Sequence, residues 1–300
     1  MDKARGCFYG CAVGDALGAP LEFTVRDTQP HVTTMLPLLR FRLPPGSWTD
    51  DTSQMLCLAA SMAARGGCDA FSELSHYLEW WENGYLSVNG DCFDIGRTTT
   101  IALAHFDRTR NTNPPTDHEQ FCGNGSLMRI APIPIFAQGD IEKAWTLGAQ
   151  SSQTTHAHPL CKEACSVFAA LTTRALAGDT KAQLLEVLRS FASRITDAQL
   201  APICDAQFLT KSRDAISSSG FVVNTLEAAL WAFFTTENFK DGALLVVNLA
   251  DDADTVGAVY GTLAGAFYGY SGIPADWLAT LQGRRMLDGV FADFAGAVGL

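Results

Sequence analysis

The chain has 300 residues, 47% of them hydrophobic and 18% charged, and a formal net charge of −11. These are globular proportions and exclude a disordered chain. The acidic balance argues against a nucleic-acid backbone as ligand, which needs a basic face, and leaves room for a cation-dependent site.

Residues 4–19 are predicted to form a helix with Gly6, Gly10, Gly14 and Gly18 at four-residue spacing, so that one face is a bare stripe. Residues 20–48 are irregular and rich in proline (Pro20, Pro30, Pro37, Pro44, Pro45). A helix over 55–64 follows, opened by Ser47–Gln54, where Asp51 and Gln54 fit a capping box. The next predicted helix covers 70–82, with Phe71, Leu74, Leu78 and Trp81 on one face, and 84–93 is a loop. Phe93-Asp94-Ile95-Gly96 precedes a helix at 97–107, and 108–126 is a polar loop ending in Cys122-Gly-Asn-Gly-Ser126. Helices are predicted at 140–150, 159–177, 180–193, 197–206, 221–235, 239–249 and 286–298.

Near the C-terminus Asp251, Asp252 and Asp254 crowd into four residues. Thr255–Ala275 then runs 21 residues without a charge, with a second stripe of Gly257, Gly261, Gly265 and Gly269. Glycine costs a helix roughly 0.8–1 kcal/mol relative to alanine, so two four-glycine ladders need a compensating reason. Close antiparallel packing of the two stripes would supply it, and would bring Glu22 at the end of the first helix to Asp252 and Asp254 at the start of the last. Strand alternation is almost absent and no linker or low-complexity segment stands out. The expected fold is therefore all-α, a single compact helical bundle over residues 1–300.

The uncharged run is long enough to span a bilayer, but its Gly, Thr, Ser and Tyr content and its acidic flank point to a buried core helix. Nine cysteines without a CxxC motif argue against structural zinc, and Cys7/Cys11 and Cys161/Cys165 read as buried apolar thiols. Gly6, Gly10, Gly14 and Asp15 interrupt any signal-peptide core. A cytoplasmic monomer without membrane or nucleic-acid partners is expected.

Thr49-Asp50-Asp51, Asp252-Ala-Asp254-Thr255 and Glu22 are each compatible with a helix cap or a solvated acid. Together they gather hard oxygen donors suited to Mg²⁺, Mn²⁺ or Ca²⁺, more than one ion needs and enough for two. Gly123-Asn124-Gly125-Ser126 is a turn whose N–H groups can cradle phosphate. His156 and His158 form a His-x-His, one of which can contact a ligand.

Gly10-Cys-Ala-Val-Gly14-Asp-Ala-Leu-Gly-Ala-Pro-Leu-Glu22, Trp48-Thr-Asp-Asp-Thr52, Gly123-Asn-Gly-Ser-Leu-Met-Arg129, Thr155-His156 and Asp252-Ala-Asp-Thr-Val-Gly257 resemble, in the same order, the motifs of the ADP-ribosylglycohydrolases of the dinitrogenase reductase-activating glycohydrolase type. The resemblance implies an all-α fold with a binuclear Mg²⁺ (or Mn²⁺) centre held by Thr49, Asp50, Asp51, Asp252, Asp254 and Thr255. It implies ADP-ribose contacts from Gly123, Asn124, Gly125, Ser126 and His156, and hydrolysis of the bond from ribose C1 to a protein side chain, with release of ADP-ribose. Asp251 departs from the pattern, standing where relatives commonly carry glycine. Phe93-Asp94-Ile95-Gly96 resembles the segment in which arginine-directed members carry an acid, which favours ADP-ribosyl-arginine over ADP-ribosyl-serine or O-acetyl-ADP-ribose; a carboxylate suits a cationic guanidinium leaving group. In the expected mechanism Asp50 or Asp51 orients a water and Asp94 or Glu22 exchanges the proton. The competing readings are an inactive ADP-ribose-binding module, a phosphoester hydrolase and a structural protein with a glycine-packed core.

Overall fold

The computed structural model describes all 300 residues. Its α-helices are α1 (Asp2–Gly18), α2 (Asp50–Arg65), α3 (Ala70–Asn83), α4 (Arg97–Thr109), α5 (Pro132–Ala137), α6 (Ile141–Gln153), α7 (Pro159–Ala177), α8 (Lys181–Ser190), α9 (Ala201–Cys204), α10 (Val222–Thr235), α11 (Phe239–Val247), α12 (Ala253–Tyr268), α13 (Ala275–Thr280) and α14 (Arg284–Val298), joined by short 3₁₀ turns. There is no strand, only two isolated bridges, so the all-α expectation holds.

The axis of the bundle is the antiparallel pair α1 and α12, joined through their glycine stripes as the spacing predicts. A Cβ on Gly10 would overlap the carbonyl of Gly261, and one on Gly14 the carbonyl of Gly257, so alanine at either position would force the helices apart. The pair is covered by α10 and α11 on one side and α7 on another, while α2 lies between α3 and α14. One cluster of 80 buried hydrophobic residues runs from Ala4 to Ala295, so both ends of the chain share a core. Cys7, Cys11, Cys161 and Cys165 are buried free thiols within it. Of the 16 residues of α12, all from Ala253 to Ala266 are buried, and no helix is long and apolar enough to cross a membrane.

The largest departure from expectation is the start of α2. The helix begins at Asp50 rather than Met55, and the Asp51/Gln54 capping box does not form. The cap comes from another helix: the Asp15 carboxylate in α1 accepts the backbone N–H groups of Thr49 and Thr52, at 3.0 Å each, together with both threonine hydroxyls. A reciprocal capping box exists at Thr180 and Gln183, opening α8. Two short helices, α5 and α13, fall in stretches with no helical expectation, and residues 197–206 fold as a 3₁₀ turn plus the four-residue α9. Pieces this short show too little periodicity to be read in sequence.

Candidate active site

The antiparallel crossing sets the end of α1 beside the start of α12. The turns that follow and precede them are tied by two backbone bonds, Phe23 N–H to Asp251 O (2.6 Å) and Asp251 N–H to Thr24 O (3.0 Å). Phe23, Ala250 and Asp251 all sit in left-handed backbone (φ 58°, 60° and 61°), as does Asp94 (φ 62°). Strain of this kind clusters at functional sites, and the φ of Asp251 is a physical reason for glycine at that position. Asp251 itself is exposed and outside the cavity wall.

A cavity of about 240 Å³ opens at this junction. On its wall are Glu22, Asp50, Asp51, Asp94, Asp252, Asp254 and Thr255, with Gly123, Asn124, Gly125 and His156 opposite or beside them. The chain thus brings together acids separated by more than 200 residues. Two expected site residues stand behind the wall. Thr49 is buried with its Oγ1 committed to Asp15, and the Ser126 hydroxyl pairs with Ser152 Oγ at 2.8 Å in the core. Of the two histidines, His156 faces the cavity, whereas His158 accepts the Leu160 N–H as the cap of α7.

None of Asp51, Asp94 and Asp252 acts as a side-chain cap of its helix. They line one cavity instead. Thr49 Oγ1 lies 3.0 Å from Asp15 Oδ1, 3.3 Å from Asp254 Oδ2 and 3.4 Å from Asp51 Oδ2, and one hydroxyl proton cannot serve three carboxylates. Asp51 Oδ1, Asp94 Oδ2 and Asp254 Oδ1 are buried without any hydrogen-bond partner. Carboxylate oxygens of Glu22, Asp94 and Asp254 lie within 4.8 Å of one another. Burial, and then the charge of neighbouring acids, holds the carboxyls of Asp50, Asp51 and Asp254 well above the usual range. Burial and Asp254 push Glu22 up to about 12. Burial raises Asp15 to about 6, against the opposing pull of the Thr49 and Thr52 hydrogen bonds. Such a group of acids retains protons until a cation replaces them, and a set of carboxylate and hydroxyl oxygens matches a hard divalent ion.

The opposite wall is built on Asn124 and His156. Asn124 Nδ2 donates to Asp252 Oδ2 and to Thr225 Oγ1, both at 2.8 Å, which links the glycine turn to the acids. A Cβ on Gly125 would lie 2.8 Å from the His156 ring, so glycine here lets imidazole and backbone share the wall. Burial and the Arg129 charge hold His156 down at about 3, a neutral ring. Thr155 Oγ1 accepts from Arg129 Nη2 at 2.7 Å and lies within hydrogen-bond distance of His156 Nδ1, at 2.9 Å, which ties the imidazole to Arg129 through one hydroxyl.

Sequence reasoning missed Asp15 and Arg129 as organisers of the site. The available signal for Asp15 was a carboxylate inside an apolar, glycine-striped helix, which only a buried polar partner makes tolerable. Thr99 and Arg97, at the start of α4, also line the cavity and carried no signal of their own.

Residues 1–299 match the family model for ADP-ribosylglycohydrolase. The chain is 42% identical over 286 residues to ADP-ribosylarginine hydrolase Tri1 of Pseudomonas putida (strain GB-1), covering 93% of this chain and 74% of that protein. It is 31% identical to ADP-ribosyl-[dinitrogen reductase] glycohydrolase of Rhodospirillum rubrum, covering 97% and 96%. A solved structure, an ADP-ribosylglycohydrolase-related protein complex, superposes with a TM-score of 0.85 at 37% identity, over 99% of this chain and 98% of the other. The helical fold and the acid-lined cavity define a hydrolase of this type. The chain belongs to the ADP-ribosylglycohydrolase family.

Proposed function

We propose that this protein hydrolyses the N-glycosidic bond between ADP-ribose and an arginine side chain of a modified protein, with two Mg²⁺ or Mn²⁺ ions. The observation that carries the reading is Asp94: its carboxylate lines the cavity, is held in a left-handed turn, and keeps one oxygen buried and unpartnered, free for a cationic leaving group. The P. putida relative's name gives it independent support.

Asp50, Asp51, Asp252, Asp254 and Thr255 are the residues that would hold the ions, with Thr49 behind them bonded to Asp15. Bound ions would neutralise these acids and lower the pKa of a coordinated water. Asp50 and Asp51, fixed in the first turn of α2 by the Asp15 cap, orient the attacking water. The Gly123–Gly125 turn, Asn124 and the His156 ring receive the nucleotide part of the substrate. The water oxygen bonds to ribose C1 as the C1–N bond breaks. The departing guanidine takes up the proton that the water loses, and Glu22 and Asp94 exchange it. Asp94 also holds the resulting guanidinium by charge-assisted hydrogen bonding.

The test is to incubate the protein and Mg²⁺ with arginine-linked and serine-linked ADP-ribosyl peptides and identify the products. Free ADP-ribose and an unmodified arginine peptide are expected. Cleavage of the serine linkage alone, or release of phosphate, would overturn the reading.

A further inference from the structure

At the mouth of the cavity the chain already holds a guanidinium against the acids. Arg40, on the 3₁₀ turn Leu39–Phe41, places Nη1 3.5 Å from Glu22 Oε2 and 3.5 Å from Asp94 Oδ1. Its guanidinium carbon lies 4.7 Å from the ring centre of Phe23 and 4.8 Å from that of Phe41. Phe41 in turn packs on Phe93, the residue before Asp94, with ring centres 4.6 Å apart. Three separate segments therefore converge on one planar cation.

The two partners in this contact differ in kind. The acids are built in: the side chains of Glu22 and Asp94 are 8% and 6% exposed, and Asp94 Oδ2 is buried with no partner. Phe23 is 65% exposed, yet the chain keeps it in left-handed backbone, a rare state for a bulky residue, and so presents the ring at the rim. Arg40 is the loose member. Its side chain is 54% exposed and approaches each acid through one nitrogen at 3.5 Å, longer than the 2.7–2.9 Å typical of a charge-assisted bond. A guanidinium arriving on a ligand can approach more closely and displace it without leaving a buried cation behind.

We propose that Glu22, Asp94, Phe23 and Phe41 form a guanidinium seat, the subsite of the leaving arginine, and that Arg40 fills it in the free protein. The assignment rests on the arginine-linked reading above. The acids supply charge, and the aromatic faces select a flat cation over the compact, strongly hydrated ammonium of lysine. Arg40 occupies the seat until substrate enters, and acts as an internal competitor.

The experiment is calorimetric titration of the full-length protein in Mg²⁺ buffer with Nα-acetyl-arginine amide, and with Nα-acetyl-lysine amide as the control. An occupied seat binds more weakly by the fraction of time it is free, so Arg40→Ala should tighten arginine amide about 3- to 10-fold. Adding Phe23→Ala to that variant should weaken it again by about 2- to 5-fold, the worth of an exposed cation–aromatic contact. Lysine amide should bind more weakly throughout. Unchanged, weaker or undetectable arginine binding in Arg40→Ala overturns the seat, even if arginine-linked peptides are cleaved. Tighter binding in a protein that cleaves only serine-linked peptides overturns the leaving-group assignment and with it the function proposed above, because the seat would then lie off the reaction path.

Discussion

The chain buries polar charge in two adjoining places, and they are built in opposite ways. Around Arg129 the counter-charge is internal. Its guanidinium is fully buried over the Tyr77 ring at 4.3 Å and donates to Gln54, Ser151, Thr154 and Thr155. Its charge also acts on buried Glu73, whose carboxyl burial lifts to about 7 while Arg129 pulls it back. Around the cavity the acids have no buried cation, only the exposed Arg40 at the rim and Arg97 at the start of α4. The first arrangement carries its own cation and serves as a foundation, although Arg129 Nε and both Glu73 carboxyl oxygens have no hydrogen-bond partner. The second is complete only when something positive arrives. Gln54 connects them, accepting from Arg129 and donating to Asp50 Oδ2, so the self-compensated cluster positions the uncompensated one.

The contrast breaks most severely at Arg129. Arg129→Met leaves Glu73 without its counter-charge and Gln54 and Thr155 without their donor. Removing one partner of a buried ionic network costs about 3–5 kcal/mol. Urea unfolding should show that loss, and hydrolysis should fall with it as Asp50 and His156 lose their anchors. A variant with wild-type unfolding would show that the cluster is not the foundation described here.

The same operation in the cavity should do the reverse to stability. Asp254→Asn removes one of several mutually repelling acids, so the metal-free protein should melt at the same temperature or higher. Activity should drop by more than about 100-fold, since even the outer partners of metal ligands are worth about 10- to 100-fold. The rise in melting temperature on adding Mg²⁺ should also vanish. Loss of stability in chelator together with retained Mg²⁺ stabilisation would assign Asp254 to the scaffold instead.

Asp94→Asn tests the rim. The charge is lost at nearly constant size and no helix cap is disturbed, so folding should be unaffected. Charge-assisted hydrogen bonds to a leaving guanidinium put the loss at about 1.5–3 kcal/mol, on the order of 10- to 150-fold in kcat/KM on an arginine-linked substrate. Full activity in this variant would remove the argument for arginine.

The pH dependence of stability separates the two clusters without mutation. A carboxyl raised in the folded state keeps a proton that the unfolded chain has lost, so stability falls as pH rises from its ordinary value to its folded one. Glu73 makes that contribution between about 4.5 and 7, Asp15 between about 3.8 and 6, and Glu22 continues it above neutrality toward about 12. His156, depressed from 6.5 to about 3, costs stability in the other direction, as pH falls below 6.5. In chelator the melting temperature should therefore decline from pH 7 to pH 9; in Mg²⁺ that alkaline decline should flatten, because the ion takes the place of the cavity protons. Parallel curves would mean that the cavity acids hold no cation.

The smallest effect belongs to Asp251. Glycine suits its φ of 61°, and the side chain is exposed outside the cavity wall, so Asp251→Gly should leave kcat/KM within about 2-fold and stability within about 1 kcal/mol. A large loss of activity would make this acid part of the site.

Much of the molecule was legible in the one-dimensional record, because its signals are periodic or local. The glycine ladders specified which faces of α1 and α12 must meet, and that pairing alone brings Glu22 to Asp252 and Asp254. The acidic pairs and the Gly-Asn-Gly turn stood out as groups that local structure alone did not need. What the tertiary structure decided has no local signature. The cap of α2 lies 34 residues upstream, in Asp15, because a backbone N–H can be satisfied by any carboxylate that folding delivers, and the nearby Asp51/Gln54 pattern misled for that reason. Whether Thr49 and Ser126 face the cavity or stand behind it depends on which side of a turn each hydroxyl falls once the helices are packed. Arg40, in a proline-rich stretch without periodicity, reaches Glu22 and Asp94 only across the fold, so the contact from which the guanidinium seat is inferred could not be read from the order of the residues.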